Sequence, residues 1–204
     1  MKYLLYVTKS KPTINKYEFR NDVFYRDASL VDADTTIAAS KETLNGYVVA
    51  EFNGTAEEYD ATARCKNFTS RGIGNEEIKK GCVSEDVLSE YQGKKEKIYG
   101  IHISNLKVFP MRKELKELRP YCEEWRRKKY GAPCKCKYSK MDVYFDHWCI
   151  KRVQKAPQNM CRVIYKNEIY ILISVQPQWA VKILNGEKTI EWRKVIIKEE
   201  KECH

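Results

Sequence analysis

The chain has 204 residues, 43% of them hydrophobic, and its 38 Lys and Arg against 28 Asp and Glu give a formal net charge of +10. That length suits one domain of ordinary size, and the composition supplies a packed core while excluding membrane, fibrous and disordered classes; no apolar run approaches the ~20 residues of a bilayer span. The cation surplus points to a polyanionic partner, nucleic acid or nucleotide, or equally to a soluble surface that happens to be Lys-rich. The eight cysteines fall below disulfide-scaffold density. With no signal-peptide layout at Met1–Leu5, the expected setting is a reducing cytoplasm with mostly free thiols.

In chain order, Lys2–Thr8 is a compact β-prone run that reads as a buried strand. Residues 9–43 scatter aromatics among charges and could hold a strand or an ordered loop. Asn45-Gly46 is a turn, and Tyr47–Phe52 follows as a strand. Residues 53–83 are polar and read as loop. Ser84 can cap a short helix over 85–91, with Glu85 and Asp86 in its first turn and Gly93 after its end. Ile98–Phe109 is β-branched and alternating, a strand. Residues 111–130 are helix-prone but interrupted by Pro120, and a Cys-rich insertion spans 131–150. Ala156–Ile164 reads as a turn entering a strand, and Ile169–Val175 is the most apolar strand of the chain.

Pro177–Asn185 reads as a short helix, with Pro177 in the first turn, Ala180, Ile183 and Leu184 on one apolar face and Gly186 as its stop. Lys188–Ile196 then reads as a strand, Ile190 and Trp192 on one side and Thr189, Glu191 and Arg193 on the other. The tail 197–204 is charged. At least five strands and two or three helices without regular βαβ alternation imply an α+β domain around a mostly antiparallel barrel or curved sheet.

Ile171–Arg193 resembles the opening strand–helix–strand of the ASCH domain, a PUA-like β-barrel family. Pro177, Trp179, Gly186, Glu187, Lys188, Thr189, Glu191 and Arg193 stand at the matching places. Tyr3–Pro12, Asn45–Glu51, Tyr99–Phe109 and Lys155–Cys161 also resemble segments of that family, especially a bacterial and phage-associated subgroup. Together they cover about two thirds of the chain, leaving 13–43, part of 53–83 and the Cys-rich insertion. In the family the Gly-Glu-Lys-Thr segment comes first; here it comes last. The resemblance therefore implies a circular permutant: a single domain over 1–204, with 111–150 a helical and Cys-rich insertion and 169–196 the permuted strand–helix–strand. The rival is a tandem pair with a truncated second copy, but 169–204 alone cannot bury its own apolar face. A monomer and a domain-swapped dimer are both open.

The Gly-Glu-Lys-Thr turn places Lys188 and Thr189 at a barrel mouth. Arg193 can fork onto a phosphate or base edge, and Glu191 can accept from a base amino group. Lys9, Ser10 and Lys11 would arrive close by, and Gln158 could read a base or pin the backbone. The expected function is RNA or nucleotide binding with no required cofactor. An enzymatic alternative also follows from the resemblance, because a small bacterial amidohydrolase of acetylcytidine in this family uses a Lys of this turn, a Thr three residues later and a distant Glu. Lys188 matches that Lys, Glu191 stands where the Thr would be, and Glu51 is the candidate for the distant Glu. A third alternative is a phage-encoded protein that blocks a host factor. Separately, Cys122, Cys134, Cys136 and Cys149 could hold a structural zinc and fold the insertion, though a C-x-C pair is less usual than C-x-x-C; the alternative is free thiols.

Overall fold

A computed structural model of the chain describes residues 1–16, 19, 42–60, 72–122, 139–141 and 147–197, with the backbone alone at 139–141 and 147–149. In the described residues β1 (Lys2–Val7) and β2 (Val48–Asp60) lead to α1 (Asn75–Lys80), α2 (Glu85–Gln92) and β3 (Lys97–Lys113). A 3-10 turn (Leu115–Glu117), β4 (Arg119–Pro120) and the short pair β5 (Ser139–Met141) and β6 (His147–Cys149) follow. The chain continues through β7 (Met160–Tyr165), β8 (Glu168–Val175), α3 (Pro177–Leu184) and β9 (Ile190–Arg193).

Seven strands form one sheet in the order β4-β7-β8-β1-β2-β3-β9. The fold is α+β, with a mostly antiparallel sheet that does not close by strand pairing among the described residues. Its one parallel pair is β1 with β8, in register from Tyr3 opposite Ile171 to Val7 opposite Val175. The apolar segment expected late in the chain thus pairs with the N-terminal strand of the same chain.

Both strands are buried on two faces, which explains their nearly continuous apolar runs. Tyr3, Leu5 and Val7 join Ile171, Ile173 and Val175 in a core that α3 covers with Ala180, Ile183 and Leu184. Leu4 and Tyr6 join Tyr170 and Leu172 in a second core with Leu118 and Val163. No side chain caps the N-terminus of α3, an omission worth about 1 kcal/mol. Full burial of an Ile or Leu contributes about 1.5–3 kcal/mol, so Ile183 and Leu184 outweigh the missing cap. In α2 the cap is present: the Ser84 side chain accepts from the Val87 N–H.

Three expectations change. Residues 53–60 are not loop but the second half of β2, because their acidic side chains pair across the ladder. Glu58 meets Lys97 at 2.6 Å and Glu57 meets His102 at 3.1 Å. Gly54 serves close packing there: a Cβ would stand 2.5 Å from the Tyr3 ring. Residues 111–120 are not helix. Val48 pairs with Lys113 and extends β3, and Leu118 is fully buried, its carbonyl accepting from the Val153 N–H. Pro120 lies on the outermost strand β4, where a missing N–H costs least. The last strand is shorter than expected, Ile190–Arg193, since Lys188 and Thr189 belong to the turn that follows α3.

Candidate functional site

β9 alternates as its sequence requires. Ile190 and Trp192 enter a small core with Tyr59, Leu88 and Ile98. Glu191 and Arg193 face the opposite way, where Lys188 meets them from the turn. Arg193 lies 2.8 Å from Glu191 Oε1, and Lys188 Nζ lies 3.5 Å from Oε2. One carboxylate therefore bridges two cations. Lys188 and Glu191 are only 3% and 6% exposed, so this is a buried ionic triad and not a solvated strand face. Lys188 also donates to the Gly81 carbonyl at the end of α1, and its ammonium sits 5.3 Å from the centre of the Trp179 ring. These partners offset a desolvation cost that would otherwise be several kcal/mol per ion.

The triad floors a cavity of about 350 Å³ lined by residues from five parts of the chain. Trp179 of α3 forms one wall, and Val87, Leu88 and Tyr91 of α2 form the other. Thr8, Ser10, Gln158 and Ser174 supply polar groups around it. Val87 and Tyr91 are 47% and 38% exposed, one helical turn apart, so the cavity has an apolar lip open to solvent. The Thr8 and Ser10 hydroxyls bond each other at 2.7 Å. Arg193 donates to the Ser174 carbonyl at 2.8 Å, while its Nε is buried with no partner among the described residues.

Burial holds the Lys188 ammonium below the usual lysine range, against the raising effect of Glu191. Burial likewise pushes the Tyr91 phenol up, opposed by Arg193. The cavity thus presents an aromatic wall, a carboxylate acceptor held between two cations and an amide on Gln158. That donor and acceptor set suits a flat, heteroatom-rich ring.

Of the residues expected from the sequence, Ser10, Gln158, Lys188, Glu191 and Arg193 line this one cavity. Thr189 is exposed and contributes through its backbone, its N–H donating to Lys80 and its carbonyl accepting from Ile103. Lys9 lines a neighbouring cavity, and Lys11 is exposed on the segment leaving β1. Glu51 lies apart, in a cavity shared with Lys2, Lys107 and Tyr170. The structure therefore does not bring Glu51 to Lys188. Cys134 and Cys136 lie outside the described residues. Cys122 is a free, half-buried thiol, and Cys149 is described by its backbone in β6 alone. Tyr91, Val87 and the Gly81 carbonyl were not anticipated. The amphipathic spacing of Val87, Leu88 and Tyr91 marks α2 as a packed helix, but nothing local says which cavity it would wall.

The described chain is thus defined by an α+β fold whose curved sheet carries a cavity with a buried Lys-Glu-Arg floor. No family model, no curated protein and no solved structure matches it.

Proposed function

We propose that this cavity is a recognition pocket for the base of a nucleotide or of RNA. The carrying observation is the buried triad of Lys188, Glu191 and Arg193 beneath the Trp179 wall. Trp179 offers an aromatic wall; Glu191, already fixed by two cations, keeps lone pairs for a base amino group; Gln158 supplies a donor for ring acceptors. The volume of about 350 Å³ suits a nucleoside-sized ligand. The same reading takes the fold as an ASCH-type barrel in permuted order. It is supported by the parallel docking of β8 on β1 and the antiparallel docking of β9 on β3 within one chain.

Calorimetric titration at low salt with AMP, GMP, CMP, UMP and their nucleosides tests the function. Saturable binding is expected, strongest for a base with an exocyclic amino group and lost in Trp179→Ala and Glu191→Gln. Absence of binding to every member, or binding untouched by both variants, overturns it.

A second reading has its own observation, the depressed ammonium of Lys188. A lysine whose ammonium is disfavoured by burial gives up its proton more readily and can then act as nucleophile or base, which suits hydrolysis of an acyl group from a modified nucleoside. Acetate release from N4-acetylcytidine that disappears in Lys188→Met supports this reading; no release at any pH removes it.

A further inference from the structure

Beside the base pocket lies a second, larger cavity of about 770 Å³. The two share Thr8 and Ser174 as a common wall, and residues 154–158 run along both: Pro157 lines the second and Gln158 the first. Together they make a groove with two compartments. The floor of the first holds a triad with a net charge of one cation. The second is bordered by Lys9, Lys116 and Lys155 against the single carboxylate of Glu114. Glu114 is engaged with Lys116 at 2.7 Å. Lys9 and Lys155 have no ion pair among the described residues.

Lys9 is also positioned by the fold. Its aliphatic stem lies on Gly46, where a Cβ would stand 3.0 Å from its Cε, and Gly46 has φ +89°, a conformation that glycine alone adopts freely. The turn therefore both reverses the chain into β2 and leaves a bare backbone track for the lysine stem, which runs along it to the edge of the cavity. Tyr47 lines the same compartment and carries the Arg112 guanidinium 4.0 Å from its ring centre on one face.

We propose that this second compartment is the backbone subsite of the base pocket, so that the ligand is a single-stranded polynucleotide crossing the Thr8–Ser174 wall, with a phosphate flanking the bound base held by Lys9 and Lys155. The proposal rests on the base-pocket reading and narrows it from a free nucleotide to a strand. A duplex is expected to bind more weakly, because a paired base must first be unstacked and unpaired before it can enter the first compartment.

The test compares the best-binding mononucleotide with the single-stranded RNA hexamer of the same base and with that hexamer annealed to its complement, at a series of salt concentrations. The hexamer is expected to bind at least about tenfold more tightly than the mononucleotide, with a salt slope steeper by about 0.7, the contribution of the one flanking phosphate neutralised on a single strand. Lys9→Ala with Lys155→Ala removes that gain and that slope while leaving the affinity for the phosphate-free nucleoside unchanged. Both side chains are exposed, and an unchanged thermal midpoint verifies the fold of the double variant. Equal affinity for mononucleotide and hexamer overturns the strand proposal and leaves the base pocket standing. Tight binding of the duplex, or a hexamer slope untouched by the double variant, also overturns it. Failure of mononucleotide and hexamer alike to bind overturns the base pocket and the strand proposal with it.

Discussion

Arg193 on β9 donates through one guanidinium nitrogen to the backbone carbonyl of Ser174 on β8, 2.8 Å away, although β1, β2 and β3 lie between those strands in the sheet. The curl of the sheet brings its edge strand back over the end of β8, and a side chain completes what strand pairing does not. Ser174 is itself tied down, its hydroxyl donating to Pro157 at 2.7 Å and its N–H to Asn159 at 2.9 Å. The same guanidinium holds Glu191 at 2.8 Å. Both contacts run through one terminal nitrogen, Nη2, whose two N–H groups are fixed in the guanidinium plane; a lysine ammonium on its shorter stem cannot match that geometry.

Arg193→Lys is therefore expected to lower stability by about 1.5–3 kcal/mol, the range for a hydrogen bond to a charged group. Urea denaturation measures it. An unchanged midpoint would show that the bond across the cavity holds nothing together.

Glu191→Gln leaves two buried cations without their shared counter-charge. Loss of one partner of a buried ionic group costs about 3–5 kcal/mol, so a fall of that order is expected in denaturant titration. Lys188→Met in the same background should recover part of it, because it removes one of the two stranded charges. No recovery would mean that the two cations do not interact through Glu191.

Gly81 ends α1 against the indole of Trp192: a Cβ would stand 2.1 Å from the indole Nε1 and 3.2 Å from the Glu77 carbonyl. Gly81→Ala must displace the Trp192 ring, at a cost of about 1–3 kcal/mol for overpacking. Because the Gly81 carbonyl also accepts from Lys188, tryptophan emission and ligand affinity should both change. A variant as stable as the parent would refute this packing.

Lys188 makes stability depend on alkaline pH. Its folded pKa lies below the unfolded value because burial disfavours the ammonium. Below the folded pKa both states hold the proton and the cost of burying it is fully present. As pH rises from there towards the unfolded value, the unfolded state binds more protons and the fold gains stability. The difference in unfolding free energy between the parent and Lys188→Met should therefore move in favour of the parent across that window. A difference that is flat with pH contradicts a depressed ammonium.

Tyr170 behaves in the opposite sense. Burial first, then the Glu51 and Glu168 carboxylates, push its phenol up to about 12. Its contribution is present below the unfolded tyrosine value near 10 and is lost as pH rises towards 12, since the unfolded phenol ionises first. Ultraviolet titration should show a late tyrosinate phase that is missing from Tyr170→Phe. Ionisation of all tyrosines near 10 rules the shift out.

Legibility in the sequence followed how local each cause is. β1, β8, α2 and α3 were readable because an unbroken apolar run, a Ser84 cap or a three-and-four spacing of Ala180, Ile183 and Leu184 is written within a few residues. The second half of β2 was not, because Glu57 and Glu58 look like loop until His102 and Lys97 meet them diagonally across the ladder. Residues 111–120 look helical by propensity, and it is the distant pairing of Val48 with Lys113 and the burial of Leu118 that draw them out straight.

The site divides along the same line. The alternation Ile190, Glu191, Trp192, Arg193 is a property of the sequence, since strand geometry sends neighbouring side chains to opposite faces. That the polar side is buried is not. Lys188 finds its carbonyl acceptor 107 residues away, and α2 covers the cavity with Val87 and Tyr91 from the same distant stretch. A lysine, a glutamate and an arginine in one short segment specify charge alone. Only the packing of α1 and α2 against β9 takes those charges out of water, and their removal from water is what turns a polar strand face into the buried ionic floor of a cavity.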